Sequence, residues 1–194
     1  CLSFTSVVKQ TILQRMAGDG ELLPRIAVVG AGIFARTQYI PRLREISHLV
    51  VLKAIWSRTQ ESAEAAAELA RDFAPGIECK WGDAGLEEIM GDPSILGVAV
   101  VLAGQVQVEL SLKMLKAGKH VIQEKPASGS TTEAETALSV YNSFPNKLPY
   151  KPIWALGENY RFEPAFVEVN ICSRNFLLLV CFCNLWISIN SQAS

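Results

Sequence analysis

A short apolar, β-branched run, Arg25-Ile26-Ala27-Val28-Val29, empties into Gly30-Ala31-Gly32-Ile33-Phe34-Ala35, and this junction constrains the fold more tightly than any other stretch. A run of that length bounded by glycine reads as a strand buried on both faces, as in parallel sheets. The spacing G-x-G-x-x-A directly after it predicts a tight turn into a helix. The first glycine permits the turn, and the second lets the backbone approach a pyrophosphate. The small third residue lets the helix close on the strand. The helix start adds amide N–H groups and a partial positive charge suited to phosphates. Gly30, Gly32, Ile33 and Phe34 are therefore the first candidate cofactor-binding residues. A ligand-free βα turn and an S-adenosylmethionine-binding methyltransferase loop are the alternatives at this point.

The rest of the chain repeats the alternation. Strands are expected at Leu49–Trp56, around Ile77–Lys80, at Gly97–Leu102, at Lys119–Gln123 and at Ile153–Leu156. Helices are expected over 32–46, with Pro41 interrupting or resetting the first, and over 60–73, where alanines dominate. Further helices are expected around Leu86–Met90, at Val106–Lys116 with Gly118 as C-cap, and at Thr131–Tyr141 with Ser130 or Thr131 as N-cap. Strands alternating with helices imply right-handed βαβ units and a doubly wound parallel sheet, the Rossmann arrangement of the α/β class.

The end of the second strand bears on the choice of cofactor. An NAD site usually sets an Asp or Glu there to bond the ribose 2′-OH, but this chain has Ser57-Arg58-Thr59 and no acid before Glu61. An Arg with two hydroxyls suits a 2′-phosphate, so NADP is expected in preference to NAD. The missing acid also counts against the methyltransferase alternative, which needs one for its own ribose.

Composition narrows the partners. Eighteen Lys and Arg face nineteen Asp and Glu, a formal net charge of −1, without the basic excess that nucleic-acid binding requires. The five cysteines form no C-x-x-C pair and have no His partner at ligand spacing, so no metal site is expected and a reducing compartment, the cytoplasm, is. At 49 % hydrophobic and 19 % charged, the chain has ample material for a core.

The two ends depart from this pattern. Residues 1–22 read as a leader or upstream extension, with a faint organelle-transit character because 1–18 hold Lys9 and Arg15 but no acid. Residues 170–194 carry a single charge, Arg174, and include the apolar run Phe176–Ile189. That run falls short of the roughly 20 residues needed to cross a bilayer, so no membrane partner is expected. The composition break near Asn170 suggests a tail foreign to the domain before it.

Ala117-Gly118-Lys119-His120-Val121-Ile122-Gln123-Glu124-Lys125-Pro126 lies at the fifth strand. With this segment the chain resembles the Gfo/Idh/MocA oxidoreductases, the glucose–fructose oxidoreductase and inositol dehydrogenase family. Gly157-Glu158-Asn159-Tyr160-Arg161-Phe162-Glu163-Pro164-Ala165-Phe166 resembles that family's passage into its second domain. The resemblance spans about 23–169 and divides the chain into a nucleotide domain at 23–158 and the start of a substrate domain at 159–169. It implies hydride transfer between a nicotinamide dinucleotide and a sugar, polyol or related carbonyl. It implies that Lys125 is catalytic, beside the nicotinamide ribose and the substrate oxygen, where its charge can stabilise an alkoxide. It further implies that Glu124 contacts the nicotinamide side, that Pro126 shapes its turn through a cis bond, and that Ala103 and Gln107 lie along the cofactor. Leu102-Ala103-Gly104-Gln105 stands where relatives commonly show Thr-Pro or a similar pair, and Gln107 near a common His or Asn.

Neither His48 nor His120 reads as a general base, and no Asp follows Asp92. The second, α+β domain, which supplies the substrate walls and usually an Asp/His pair, is accordingly expected to be largely missing here, leaving the oligomer open. A non-catalytic dinucleotide-binding module, or an inactive fragment, is the competing expectation.

Overall fold

Parallel strands need crossover connections, and here each crossover between paired neighbours is helical. The computed structural model describes residues 23–144 and 151–164. Six strands form one sheet: β1 (Arg25–Val29), β2 (Val51–Ser57), β3 (Glu78–Trp81), β4 (Ile95–Val100), β5 (His120–Gln123) and β6 (Trp154–Leu156). Their spatial order is β3-β2-β1-β4-β5-β6 and every pairing is parallel. This is the doubly wound Rossmann order, with the winding reversing between β1 and β4. The readings of 1–22 and 170–194 fall outside the described residues, as do Ala165 and Phe166 at the end of the expected passage into the second domain. Among the described residues no helix is long and apolar enough to cross a membrane.

The helices are α1 (Ile40–Glu45), α2 (Gln60–Glu68), α3 (Gly82–Gly91), α4 (Gly104–Lys116) and α5 (Thr131–Ser143). One core joins Val28, Leu52 and Ile55 to Ala35, Ile40 and Leu43, and to Ala66, Ala67 and Ala70. The other joins Val29, Val98, Val100 and Val121 to Ile89, Leu110, Met114 and Leu115, with Tyr141 and Trp154 packed against it. Alanines at 63, 66 and 67 are fully buried, so α2 lies close on the sheet without large side chains to hold it away.

Pro41 resets its helix. Residues Ala35–Tyr39 form a π-helical turn, in which the Ile40 N–H reaches Ala35 O, and α1 follows with Pro41 in its first turn. Proline has no N–H to return to the preceding turn, so a wider closure just before it costs no bond that the chain could have made. The Ala-rich helix is regular only to Glu68, because Ala70 N bonds Ala67 O and Phe73 N bonds Ala70 O in tighter turns as far as Pro75. Ser130 is the cap of α5, its Oγ accepting from Glu133 N at 3.2 Å. Gly118, at φ +85°, ends α4 with its N–H on Leu115 O.

Candidate functional site

At the carboxyl edge of the sheet the ladder runs one residue past the strands. Gly30 N bonds Trp56 O at 2.9 Å, Val101 N bonds Val29 O at 2.9 Å, Glu124 N bonds Val100 O at 3.0 Å, and Gly157 N bonds Gln123 O at 2.7 Å. The loops leaving these strands therefore start in line. Above them, where the winding reverses, lies a cleft of about 530 Å³. Its walls include Gly30, Gly32, Ile33, Phe34, Ser57, Arg58, Ala103, Glu124 and Lys125.

The glycines divide their labour as the motif requires. Gly30 sits at φ +123°, and a Cβ there would lie 2.1 Å from Val101 O, so no other residue fits. A Cβ on Gly32 would meet nothing within 4 Å, since that position faces the open cleft. Phe34 already has helical dihedrals, so the amides of this turn lie ahead of the first intrahelical bonds. Arg36 braces the turn from behind: Nε donates to Ala31 O at 2.9 Å, and a terminal nitrogen donates to Ser62 O at 3.2 Å and to Ser62 Oγ at 3.0 Å.

At one end of the cleft Arg58 is exposed and makes no hydrogen bond or ion pair among the described residues. At the other, the Lys125 Nζ lies 3.2 Å from Asn159 Oδ1 and 4.4 Å from the Tyr160 ring centroid. A neutral amide and an aromatic face hold the ammonium without cancelling its charge. The Lys125–Pro126 peptide is cis, as the resemblance implied. Glu124 Oε1 accepts from the Tyr39 phenol at 2.6 Å, and Oε2 accepts from Lys125 N at 3.2 Å. Burial, and then the Glu124 carboxylate beside it, push the Tyr39 phenol far above its ordinary range, so it stays a donor.

Two predicted contacts stand apart from the cleft walls. Thr59 is the N-cap of α2, its Oγ1 accepting from Ser62 N at 3.4 Å, and Ser62 lines the cleft in its stead. Gln107 is fully buried on the inner face of α4, where neither amide atom meets a partner among the described residues. Its backbone lies a turn inside the helix that starts at Gly104, so its side chain enters the sheet–helix layer instead of the cleft. His120 lies at the amino end of β5, its Nδ1 accepting from Ile153 N at 3.0 Å, and burial holds its pKa below the usual value.

The profile of an oxidoreductase family with an NAD-binding Rossmann fold, Gfo/Idh/MocA, matches residues 24–147. The chain belongs to the Gfo/Idh/MocA family. Dehydrogenase FPY6 of Fusarium mangiferae is 39 % identical over 140 residues, covering 71 % of this chain and 39 % of that protein. The NADP(+)-dependent scyllo-inositol 2-dehydrogenase IolW of Bacillus subtilis is 31 % identical over 112 residues, covering 58 % of this chain and 28 % of that one. A crystallised oxidoreductase from Thermotoga maritima superposes with a TM-score of 0.65 at 26 % identity, over 79 % of this chain and 44 % of its own. The chain thus spans about two fifths or less of the curated relatives it matches.

Within this Gfo/Idh/MocA domain the cleft suits a nicotinamide dinucleotide on its own geometry. The bare face of Gly32, the free amides at the helix start and the cleft volume are what a pyrophosphate and its two nucleosides need. Sequence reasoning missed Ser62, Tyr39, Asn159 and Tyr160. Asn159 and Tyr160 were visible only as part of the passage toward a second domain, and nothing local marks Tyr39 as a neighbour of Glu124, 85 residues on.

Proposed function

We propose that the chain binds the dinucleotide along this cleft with NADP preferred over NAD, and that the whole protein transfers hydride between it and a sugar, polyol or related carbonyl. The observation that carries the reading is one cleft, at the point where the sheet reverses its winding, with an unengaged arginine at one end and a lysine held by neutral groups at the other. In this reading the amides from Gly30 to Phe34 hold the pyrophosphate, and Ser57, Arg58 and Ser62 surround the adenosine ribose. An Arg fork suits a 2′-phosphate, and no carboxylate competes with it for that role. The relative IolW is an NADP(+) enzyme, in keeping with this preference.

When bound, the nicotinamide ring supplies the hydride donor or acceptor. The chain's own residues orient and polarise. Glu124 faces the nicotinamide end. Lys125 keeps an ammonium, steadied by Asn159 and Tyr160, next to the oxygen of the reacting carbon, where positive charge favours the alkoxide. The Gly-rich turn, braced by Arg36, keeps its shape before ligand arrives, so little binding energy is lost in ordering it.

Calorimetric titration of the purified chain with NADPH and NADH tests this directly. Binding of both, with NADPH at least about tenfold tighter, is the expected result. A folded chain that binds neither would overturn the reading, and equal affinities would overturn the preference.

A further inference from the structure

Tyr39 is absent from the cleft wall, yet among the described residues it makes the longest-range side-chain bond that reaches the site. Its phenol donates to Glu124 Oε1 at 2.6 Å across 85 residues of sequence. The other carboxylate oxygen is bonded to Lys125 N. Gly157 closes the third side, because a Cβ there would lie 2.9 Å from Glu124 Oε1 and 3.3 Å from Gln123 O. The carboxylate is therefore fixed by a phenol from the π-helical turn, an amide from its own turn, and a bare glycine just after the edge strand. We infer that Tyr39 is a positioning residue, which sets the Glu124 carboxylate for the nicotinamide end of the dinucleotide through the bond to Oε1. The inference rests on the reading that this cleft binds a nicotinamide dinucleotide.

Three features favour positioning over simple packing. Tyr39 closes the π-helical turn Ala35–Tyr39, and the wider turn sets the direction in which its side chain leaves the helix. Its ring meets Phe34, which lines the cleft, edge to face with centroids 5.9 Å apart. The same residue thus supports the wall on the pyrophosphate side and the carboxylate at the opposite end. Finally, Glu124 has no cation within ion-pair distance among the described residues. Its orientation is set by hydrogen bonds, which are directional, and not by charge alone.

The test compares the full chain with Tyr39→Phe and Glu124→Gln, each titrated with NADPH and with 2′-phospho-ADP-ribose, which lacks the nicotinamide. Tyr39→Phe keeps the ring contact with Phe34 and removes only the donor. It is expected to weaken NADPH about fivefold to tenfold while leaving 2′-phospho-ADP-ribose within about twofold. The fluorescence of bound NADPH should also shift toward that of the free ligand, a signature that a loss of stability alone would not produce. Glu124→Gln should show the same split. Equal weakening of both ligands in Tyr39→Phe, or no weakening of either, would overturn the assignment. A wild-type chain that binds neither ligand would overturn the underlying reading, and that outcome is distinct because it requires no variant.

Discussion

The two edges of the sheet use charge in opposite ways. At the amino edge the charged groups are consumed by one another. Lys53 Nζ meets Asp92 Oδ2 at 2.6 Å and Ser94 Oγ at 2.8 Å, while Asp92 Oδ1 accepts from Ser94 N and Oγ at 2.8 and 2.7 Å. The buried Lys119 donates to Ile95 O at 2.9 Å and to Asp92 O. At the carboxyl edge, among the described residues, Arg58 is unengaged, Lys125 is held by neutral groups, and a Cβ on Gly32 would meet open space. The first edge satisfies itself and adds stability. The second leaves polar groups unpaired at the surface, where water covers them until a ligand does. Stability and recognition are therefore carried by opposite ends of the same strands.

Substitutions can break this contrast, and the largest effect belongs to Gly30→Ala. The added Cβ would lie 2.1 Å from Val101 O at a positive φ, so chemical denaturation should report a loss of roughly 3 kcal/mol or more, with cofactor binding abolished. A variant of near wild-type stability would contradict the geometry of the turn. Next comes Asp92→Asn at the amino edge, expected to cost about 1–2 kcal/mol while leaving NADPH affinity unchanged. The hydrogen bonds from Lys53 and then Ser94 hold the Asp92 carboxyl well below the usual carboxylate range. Its contribution is present above pH about 4 and is lost as pH falls toward the lowered folded value, so wild type should lose more stability on acidification than Asp92→Asn. Parallel acid limbs would remove Asp92 from that role.

Arg58→Ala should leave stability alone and weaken NADPH about tenfold while changing NADH less than about twofold, measured by calorimetry. Equal losses would mean that the arginine meets something shared by both cofactors. The smallest effect is expected from Gln107→Met. Replacing a buried amide that has no partner among the described residues with an apolar chain of similar length should leave stability equal or higher by up to about 1 kcal/mol, with NADPH affinity unchanged. Weaker NADPH binding by this variant would restore Gln107 to the cofactor site.

Much of the fold was legible because it is written in local pattern. The β-branched run into Gly30, the alanines of α2 and the stop at Gly118 each carry their own physical reason within a few residues. Boundaries moved where hydrogen bonding changed type without a change in composition, as in the tight turns after Glu68 and the π-turn before Pro41. Arg58, Glu124 and Lys125 were legible as cleft residues, because each follows a strand end in a fixed sequence setting. The contacts of Lys125 with Asn159 and Tyr160 and of Glu124 with Tyr39 were not, since they depend on how separate loops meet above the sheet. Gln107 shares an inner helix face with Ser111 and Met114, a 4-3 spacing that in retrospect marks burial, although two of the three are polar.

Hydrogen exchange of the full chain with and without NADPH tests the central claim most directly. The account predicts that NADPH slows exchange at Gly32–Phe34, Ser57–Arg58 and Glu124–Lys125, while the amides around Asp92–Ile95 at the amino edge are unchanged. Protection confined to the amino edge, or spread evenly over both edges, would contradict it.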